Sequence, residues 1–342
     1  MEKAMIAMSG GVDSSVAAYL AIQQGLSCIG GTMILWGDAS GSIADARAVA
    51  QRLGMPFSVF DGTAQFRQQV VAPFIAAYEA GLTPNPCFVC NRHLKFSWLL
   101  DRALEAGCDY VVTGHYARLK QDSGRTLLYA APDKAKDQSY FLAGLNQFQL
   151  SHSLFPLGDL TKEEARDIAE AQGFVNARKK DSQDICFIPD GDYKGFMERY
   201  TGKTYPGGDF LDANGAVVGR HNGAVGYTLG QRKGLGLAMG APVYVCGKDM
   251  TRNTVTVGAE SLLFTDTLLA GDVNCIAFDS LTEPMEVTAK ARSRHNPQPA
   301  TVYPQEDGTI RVVFREPQRA ITPGQAVVLY DGDLVLASGT IQ

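Results

Sequence analysis

The chain has 342 residues, 45% of them hydrophobic and 20% charged, a balance that fits a globular chain with a buried core and excludes a disordered one. It has no apolar run of the ~20 residues that would span a bilayer and no basic-then-apolar leader at its start, so the expected location is cytoplasmic, with no membrane partner. A formal net charge of −5 excludes a generally basic nucleic-acid surface, and any site for a polyanion must be local. Seven cysteines, an odd number in such a chain, argue against a disulfide framework and direct attention to the cysteines that cluster.

From residue 1 to about 115, short apolar runs alternate with helical patterns. "AMIAM" precedes a helix from Ser14 to about Gln24, "SCIGGTMIL" precedes "ADARAVAQRLG", and "MPFSVFD" precedes "AQFRQQVVAPFIAAYEAG"; "HLKFSWLLDRALEAG" then leads into "DYVVTGHYA". Such alternation predicts βαβ units and a doubly wound parallel sheet, whose ligands sit at the carboxyl ends of the strands. Residues from about 137 to 200 read as mainly helical, with "TKEEARDIAEAQG" capped by Thr161. Beyond Tyr205, glycines crowd and short β-rich runs follow, among them "TVTVG", "TIRVVF" and "AVVLYDGDLVLASG". The expected organisation is an α/β domain over 1–204, a small central β-rich domain over 205–277 and a β-barrel over 278–342.

"SGGVDSS" at 9–15 lies where the first apolar run stops and a helix starts. Gly10 and Gly11 permit a sharp turn that points several amide N–H groups into one concavity, Ser9, Ser14 and Ser15 add hydroxyls, and the helix adds its positive end. This suits an anion, although a turn that merely needs small residues has the same glycines. It is neither a Walker A loop, for no lysine follows the glycines, nor a dinucleotide fingerprint.

"TPNPCFVCNRHLKF" places Cys87 and Cys90 before a helical pattern expected from about Asn91, with Arg92, His93 and Lys95 close by. A helix N-terminus and these cations would lower the pKa of a thiol. A structural zinc pair lacks its second half, and a thioredoxin-type redox pair lacks its usual surroundings. Cys186 lies in "KKDSQDICFIPDG", between polar and basic residues; Cys28, Cys108, Cys246 and Cys275 read as inert apolar residues. Trp36 reads as a neighbour of the nucleotide and Trp98 as core. His221 reads either as part of a mobile loop over RNA or as an ordinary glycine-rich turn. Basic residues cluster at Arg178, Lys179 and Lys180, at Arg232 and Lys233, at Lys290, Arg292 and Arg294, and at Arg311, Arg315 and Arg319. Together they suggest an RNA-facing stripe, each run alone a solvated surface.

The loop resembles the pyrophosphate loop of ATP pyrophosphatases, which adenylate an oxygen and release pyrophosphate. With "TPNPCxxCNxxxKF", "TGHYA", "KDQSYFL", "DSQDICFI", "GYTLGQRKGLG" and "EPQRAITPGQAVVLY", the chain resembles the tRNA-specific 2-thiouridylase family through most of its length. The resemblance implies an adenine nucleotide alpha hydrolase-like catalytic domain and replacement of O2 of a wobble uridine by sulfur. It implies ATP with Mg2+ as cofactors, and as partners the tRNA anticodon loop and a sulfur donor such as a cysteine desulfurase, a sulfur-relay protein or free sulfide.

By position, the resemblance makes Cys90 the nucleophile and Cys186 the persulfide carrier. It puts ATP on Ala7, Met8, Ser9, Gly10, Gly11, Val12, Asp13, Ser14, Met33 and Gly114, with Asp13 a neighbour of Mg2+. It puts tRNA on Asn85, Pro86, Cys87, His115, Lys136, Asp137, Gln138, Arg292, Ser293 and Gln325. Cys87 stands where other members have aspartate, and a thiol of pKa about 8.5 cannot inherit the work of a carboxyl of about 3.9. Cys87, Cys90 and Cys186 are thus also candidate ligands of three irons of a [4Fe–4S] cluster with an open fourth iron. Ser293 replaces a tyrosine, and "GDASGSI" is a shorter segment than relatives carry. Two other functions stay open on the residues: an amidating or condensing synthetase with the same loop, and an iron–sulfur or sulfur-carrier scaffold with a regulatory ATP site.

Overall fold

The computed structural model describes residues 1–179 and 184–342; Lys180 of the first basic cluster and residues 181–183 of the "DSQDICF" string lie outside the described residues. The first sheet contains β1 (Lys3–Ala7), β2 (Ser27–Ile34), β3 (Phe57–Asp61), β4 (Tyr110–Val112) and, after the β5–β6 hairpin described below, β7 (Ser153–Leu154). All its pairings are parallel, in the order β3-β2-β1-β4-β7. The chain leaves β1 toward β2 and β3, then crosses back to β4, so the switch point lies between the carboxyl ends of β1 and β4.

Strand parity builds two cores on this sheet. Ala4, Ile6 and Met8 face helices α1 (Val12–Gln23) and α2 (Ser40–Arg52), with Val16, Ala17, Ala21, Val49 and Ala50 buried against them. Met5 and Val111 face the other way, onto Leu99, Leu100 and Ala103. The first helix starts at Val12, two residues ahead of the expectation, because Gly11 already has the extended conformation of an N-cap.

The hairpin β5 (Ala117–Asp122) and β6 (Arg125–Ala130) was not anticipated. Instead of extending the parallel sheet, β6 pairs with the C-terminal domain. The central domain is a four-stranded sheet of β8 (Gly208–Leu211), β9 (Val217–His221), β10 (Tyr244–Asp249) and β11 (Thr254–Gly258), packed on Phe210, Val245 and Val257. The last sheet closes on itself through β12 (Phe264–Cys275), β13 (Met285–Lys290), β14 (Gln298–Pro304), β15 (Ile310–Arg319), β16 (Ala326–Asp331) and β17 (Leu334–Ile341). Its order is β12-β15-β14-β13-β16-β17, and the β12–β17 pairing completes the barrel. The β5–β6 hairpin thereby fastens the barrel to the catalytic domain, and Tyr140 seals the joint by donating its buried hydroxyl to the Ala326 carbonyl at 2.8 Å. No helix among the described residues is long and apolar enough to cross a membrane.

Candidate active site

The glycine loop sits at the carboxyl end of β1. Gly10 has φ +71°, and a Cβ there would fall 2.3 Å from the Ser42 carbonyl oxygen, so both conformation and space demand glycine. Ser14 and Ser15 donate to the Gly11 carbonyl, each at 3.0 Å, while the Ser9 amide donates to Ser14 Oγ at 3.2 Å. Asn176 and Lys179 reach over from the distant helical segment to hold the Gly10 carbonyl at 3.1 and 3.2 Å. Backbone N–H groups at the head of α1 are thereby held rigidly for an anion.

Asp13 faces Lys162, which bridges both of its oxygens at 2.7 and 2.8 Å, and accepts from the Tyr116 hydroxyl at 2.9 Å. The lysine side chain is only 9% exposed. Asp13 is thus ion-paired in this structure, and its charge holds a buried ammonium beside the loop. The residues present instead suit an ion held by nucleotide phosphates and water, as Mg2+ commonly is.

Ala7, Met8, Ser9, Asp13, Ser14, Met33 and Gly114 line one cavity of about 260 Å³, together with Leu35, Lys95, Thr113, His115 and Gln138. Gly114 lies two residues beyond β4, and a Cβ on it would meet the Asp13 carbonyl carbon at 2.5 Å. Its neighbour His115 is buried and hydrogen-bonds Thr113 Oγ1 through Nδ1 at 2.7 Å. Burial, assisted by the Lys95 charge, holds the imidazole well below its ordinary pKa and therefore neutral. Trp36 lies elsewhere, in an aromatic cluster with Phe66, Phe187, Phe196 and Tyr200 at centroid distances of 5.7–6.3 Å. Trp98 packs edge-on to Phe60 as a core residue.

The helix that carries the CxxC pair begins at Pro86, earlier than expected, because Asn85 caps it by accepting from the Phe88 amide at 3.3 Å. Pro86–Cys90 runs without a break into a π-helical stretch, Asn91–Trp98, and then Leu99–Glu105. Cys87 is exposed and Cys90 is buried among Val70, Phe74, Leu94 and Phe187. Ile185, Phe187 and Ile188 join the same core, which leaves Cys186 exposed beside it. Cys87 and Cys186 both act on Cys90, Cys87 also acts on Cys186, and all three thiols feel Lys95.

The expected depression of the thiol pKa values is not found. Desolvation outweighs the lysine and raises all three, Cys90 up to about 12. Arg92 contributes nothing to them because it is paired with Asp272 of the barrel. Among the described residues no three Cys, His, Asp or Glu side chains are gathered as metal ligands, so Cys87, Cys90 and Cys186 do not form a ready [4Fe–4S] site as placed. Cys28 and Cys108 are buried and Cys246 and Cys275 half-buried, each with its thiol raised by desolvation.

A second cavity, of about 1030 Å³, opens on the other side of the loop between catalytic domain and barrel. It shares Ser9, Asp13 and Gln138 with the first and adds Gly11, Val12, Lys134, Lys136, Asp137, Lys179, Lys290, Ser293, Arg294 and His295. Of its acids, Asp13 is paired as above and Asp333 binds Arg118 and Lys134 at 2.9 and 2.6 Å, so the wall is net cationic. Asp137 holds a turn through the Ala131 and Ser139 amides, and Gln138 accepts from the Tyr116 amide at 3.0 Å.

Several expected RNA contacts have structural work instead. Arg292 donates to the Leu229 and Ala320 carbonyls at 3.2 and 2.8 Å and to the Thr322 hydroxyl, so it points into the protein while Ser293 and Arg294 face the cavity. Gln325 donates to the Thr83 carbonyl at 2.7 Å, tying the barrel to the "TPNP" segment. His221 is buried, binding the Asn253 carbonyl at 3.1 Å and accepting from the Gly223 amide at 3.0 Å, a packed residue rather than part of a mobile loop. Arg178 pairs with Glu170 and Arg319 with Glu260. Lys134, His295 and Lys162 were not singled out for the site by the sequence, and Lys95 was named only as a cation beside the CxxC pair, not as a residue of the nucleotide pocket.

The chain matches three family models in succession: the tRNA methyl transferase HUP domain over residues 2–190, the tRNA methyl transferase PRC-barrel domain over 194–259, and the Aminomethyltransferase beta-barrel domain over 265–341. Among curated proteins it is 45% identical over 354 residues to the tRNA-specific 2-thiouridylase MnmA of Clostridioides difficile (strain 630), covering 100% of this chain and 98% of that one. It is 46% identical over 356 residues to the protein of that name from Acetivibrio thermocellus, covering 100% and 99%.

Proposed function

The chain belongs to the tRNA-specific 2-thiouridylase family, and from that premise we propose that it uses ATP to adenylate O2 of the wobble uridine and replaces that oxygen by sulfur. The observation that carries the reading is the common wall of the two cavities. Ser9, Asp13 and Gln138 border both, so a nucleotide in the small one and an unstacked anticodon base in the large, cationic one meet at the same phosphate loop.

Met33 and Gly114 flank the base of ATP, and the amides from Ser9 to Ser14 receive its phosphates. Magnesium, when bound, neutralises the triphosphate. Uridine O2 attacks the α-phosphorus, the bond to the β-phosphate oxygen breaks, and pyrophosphate leaves. The adenylated oxygen is now a good leaving group. The outer sulfur of a Cys186 persulfide attacks C2 and AMP departs with the electron pair of the C–O bond. Cys90 then attacks the inner sulfur, and the S–S electrons pass to the sulfur on C2. That leaves 2-thiouridine and a Cys90–Cys186 disulfide, which an external dithiol reduces. The donor that loads Cys186 is a desulfurase or a sulfur-relay protein that hands over sulfur already at the persulfide level; free sulfide can load it only by opening the Cys90–Cys186 disulfide, its sulfur bonding to Cys186 as Cys90 leaves as thiolate. No step passes through an iron–sulfur cluster. The methyl transfer named in the family-model descriptions leaves the cysteine site without employment.

Cys90→Ala and Cys186→Ala each should reduce 2-thiouridine formation by at least about a hundredfold, while tRNA-dependent pyrophosphate release persists. Full turnover in either variant would favour the amidating synthetase, and ATP cleavage indifferent to tRNA would favour the sulfur-carrier scaffold.

A further inference from the structure

Lys95 lies on the helical stretch that continues the cysteine helix and also lines the nucleotide pocket, and the functional reading leaves it without a task. The stretch Asn91–Trp98 has π geometry. In a regular α-helix of 3.6 residues per turn, residues five apart point roughly 140° from each other. The wider i→i+5 turn stacks a residue over the one five before it, a feature that recurs at functional sites. Lys95 is five residues beyond Cys90 and so returns to its side of the helix. Leu94 and Phe96, both fully buried, clamp the backbone on either side of it.

The Lys95 side chain lines the small cavity with Met33, Gly114 and His115. Its charge acts at once on Cys87, Cys90, Cys186 and His115. Among the described residues its ammonium has no ion-pair or hydrogen-bond partner, unlike Lys162 and Lys179 at the loop, which are held by Asp13 and Asp45. Arg92 is diverted to Asp272 and His93 is depressed by burial and by Arg92, so neither supplies a competing charge to the sulfur side.

We infer that Lys95 is the positioning residue of the second half-reaction, its ammonium holding the negative sulfur nucleophile against the adenylated base at the boundary between cysteine site and nucleotide pocket. In that step the C2–S bond forms, the C2–O bond breaks, and AMP leaves as an anion. Lys95 is placed where negative charge passes from sulfur to phosphate oxygen. Such fixed charge is worth most in a water-poor site. The first half-reaction develops its charge on phosphates received by the backbone amides and hydroxyls of the glycine loop, whereas Lys95 is the cation that acts on all three cysteines, so its removal should cost the second half-reaction more than the first.

The inference rests on the thiolation reading. The test compares K95M, K95Q and K95R with wild type in single turnover with ATP, unmodified tRNA and a cysteine desulfurase with cysteine as persulfide donor, reading pyrophosphate release and 2-thiouridine separately. K95M is expected to slow 2-thiouridine formation at least about tenfold more than it slows pyrophosphate release. K95Q should show the same split, which covers the case in which K95M does not fold, and K95R should recover most of the loss. Equal loss of both readouts, or loss of neither, overturns the role. Wild-type enzyme that forms no 2-thiouridine in the same assay overturns the functional reading together with it, whereas a thiolating wild type with an unaffected K95M overturns only the part given to Lys95.

Discussion

Gly114 and His115, adjacent residues after β4, are constrained for opposite reasons, one by lack of space and the other by lack of water. A Cβ at 114 would sit 2.5 Å from the Asp13 carbonyl carbon, backbone that cannot rotate away. Gly114→Ala is expected to push the first turn of α1 and destabilise the fold by about 1–3 kcal/mol, with the KM for ATP rising; an unchanged melting temperature and KM would show that the loop yields. His115 is neutral when folded because burial depresses its pKa, yet the unfolded chain takes up a proton below about 6.5. The unfolded state then binds more protons, so stability should be intact above pH 6.5 and fall as pH drops below it. His115→Gln should flatten that slope in denaturation curves between about pH 6.5 and 5. At the cysteines, burial raises the Cys90 thiol to about 12 while Cys87 and Cys186 are exposed. Alkylation of the free enzyme at pH 8 should therefore label Cys87 and Cys186 well before Cys90, as peptide mapping would show; labelling of Cys90 first would contradict the burial argument.

At the scale of elements, the parallel sheet was legible because period-2 burial and alternating helices leave a pattern in every twenty residues. The glycine loop was legible because its chemistry is local. The hairpin β5–β6 was not, since its partner β17 lies some two hundred residues on and nothing within the hairpin names it. For the same reason Asp13 read as a lone acid, when Lys162 claims both its oxygens from 149 residues away. Cys87 and Cys90 were found by their spacing, but local cations suggested reactive thiols where the tertiary core imposes desolvation instead. Gln325 shows what such ties do for function: its amide donates to the Thr83 carbonyl, and the Thr83 amide donates to the Pro323 carbonyl at 2.9 Å, so the barrel holds the segment that leads into Cys87. Gln325→Ala should lower stability by about 1 kcal/mol and slow thiolation in proportion to loosening of that segment. A variant with wild-type melting but weakened tRNA binding would place Gln325 on the RNA instead.

The whole molecule carries a net charge of −5 yet gathers Lys134, Lys136, Lys179, Lys290 and Arg294 around one cavity between catalytic domain and barrel. tRNA affinity should therefore fall steeply as salt rises, because a local cationic wall rather than the protein's mean charge meets the phosphates. The barrel, fastened by β6 and by Tyr140, supplies the far side of that cavity, while the parallel sheet supplies the glycine loop that borders both cavities. The central claim is that this junction exchanges oxygen for sulfur on a wobble uridine. It is tested most directly by incubating the enzyme with ATP, a cysteine desulfurase with cysteine as persulfide donor, and tRNA lacking the modification, then digesting the tRNA and quantifying its nucleosides by mass spectrometry. The account predicts 2-thiouridine in amounts matched by AMP and pyrophosphate, all dependent on tRNA; ATP cleavage with the wobble uridine left unmodified would contradict it.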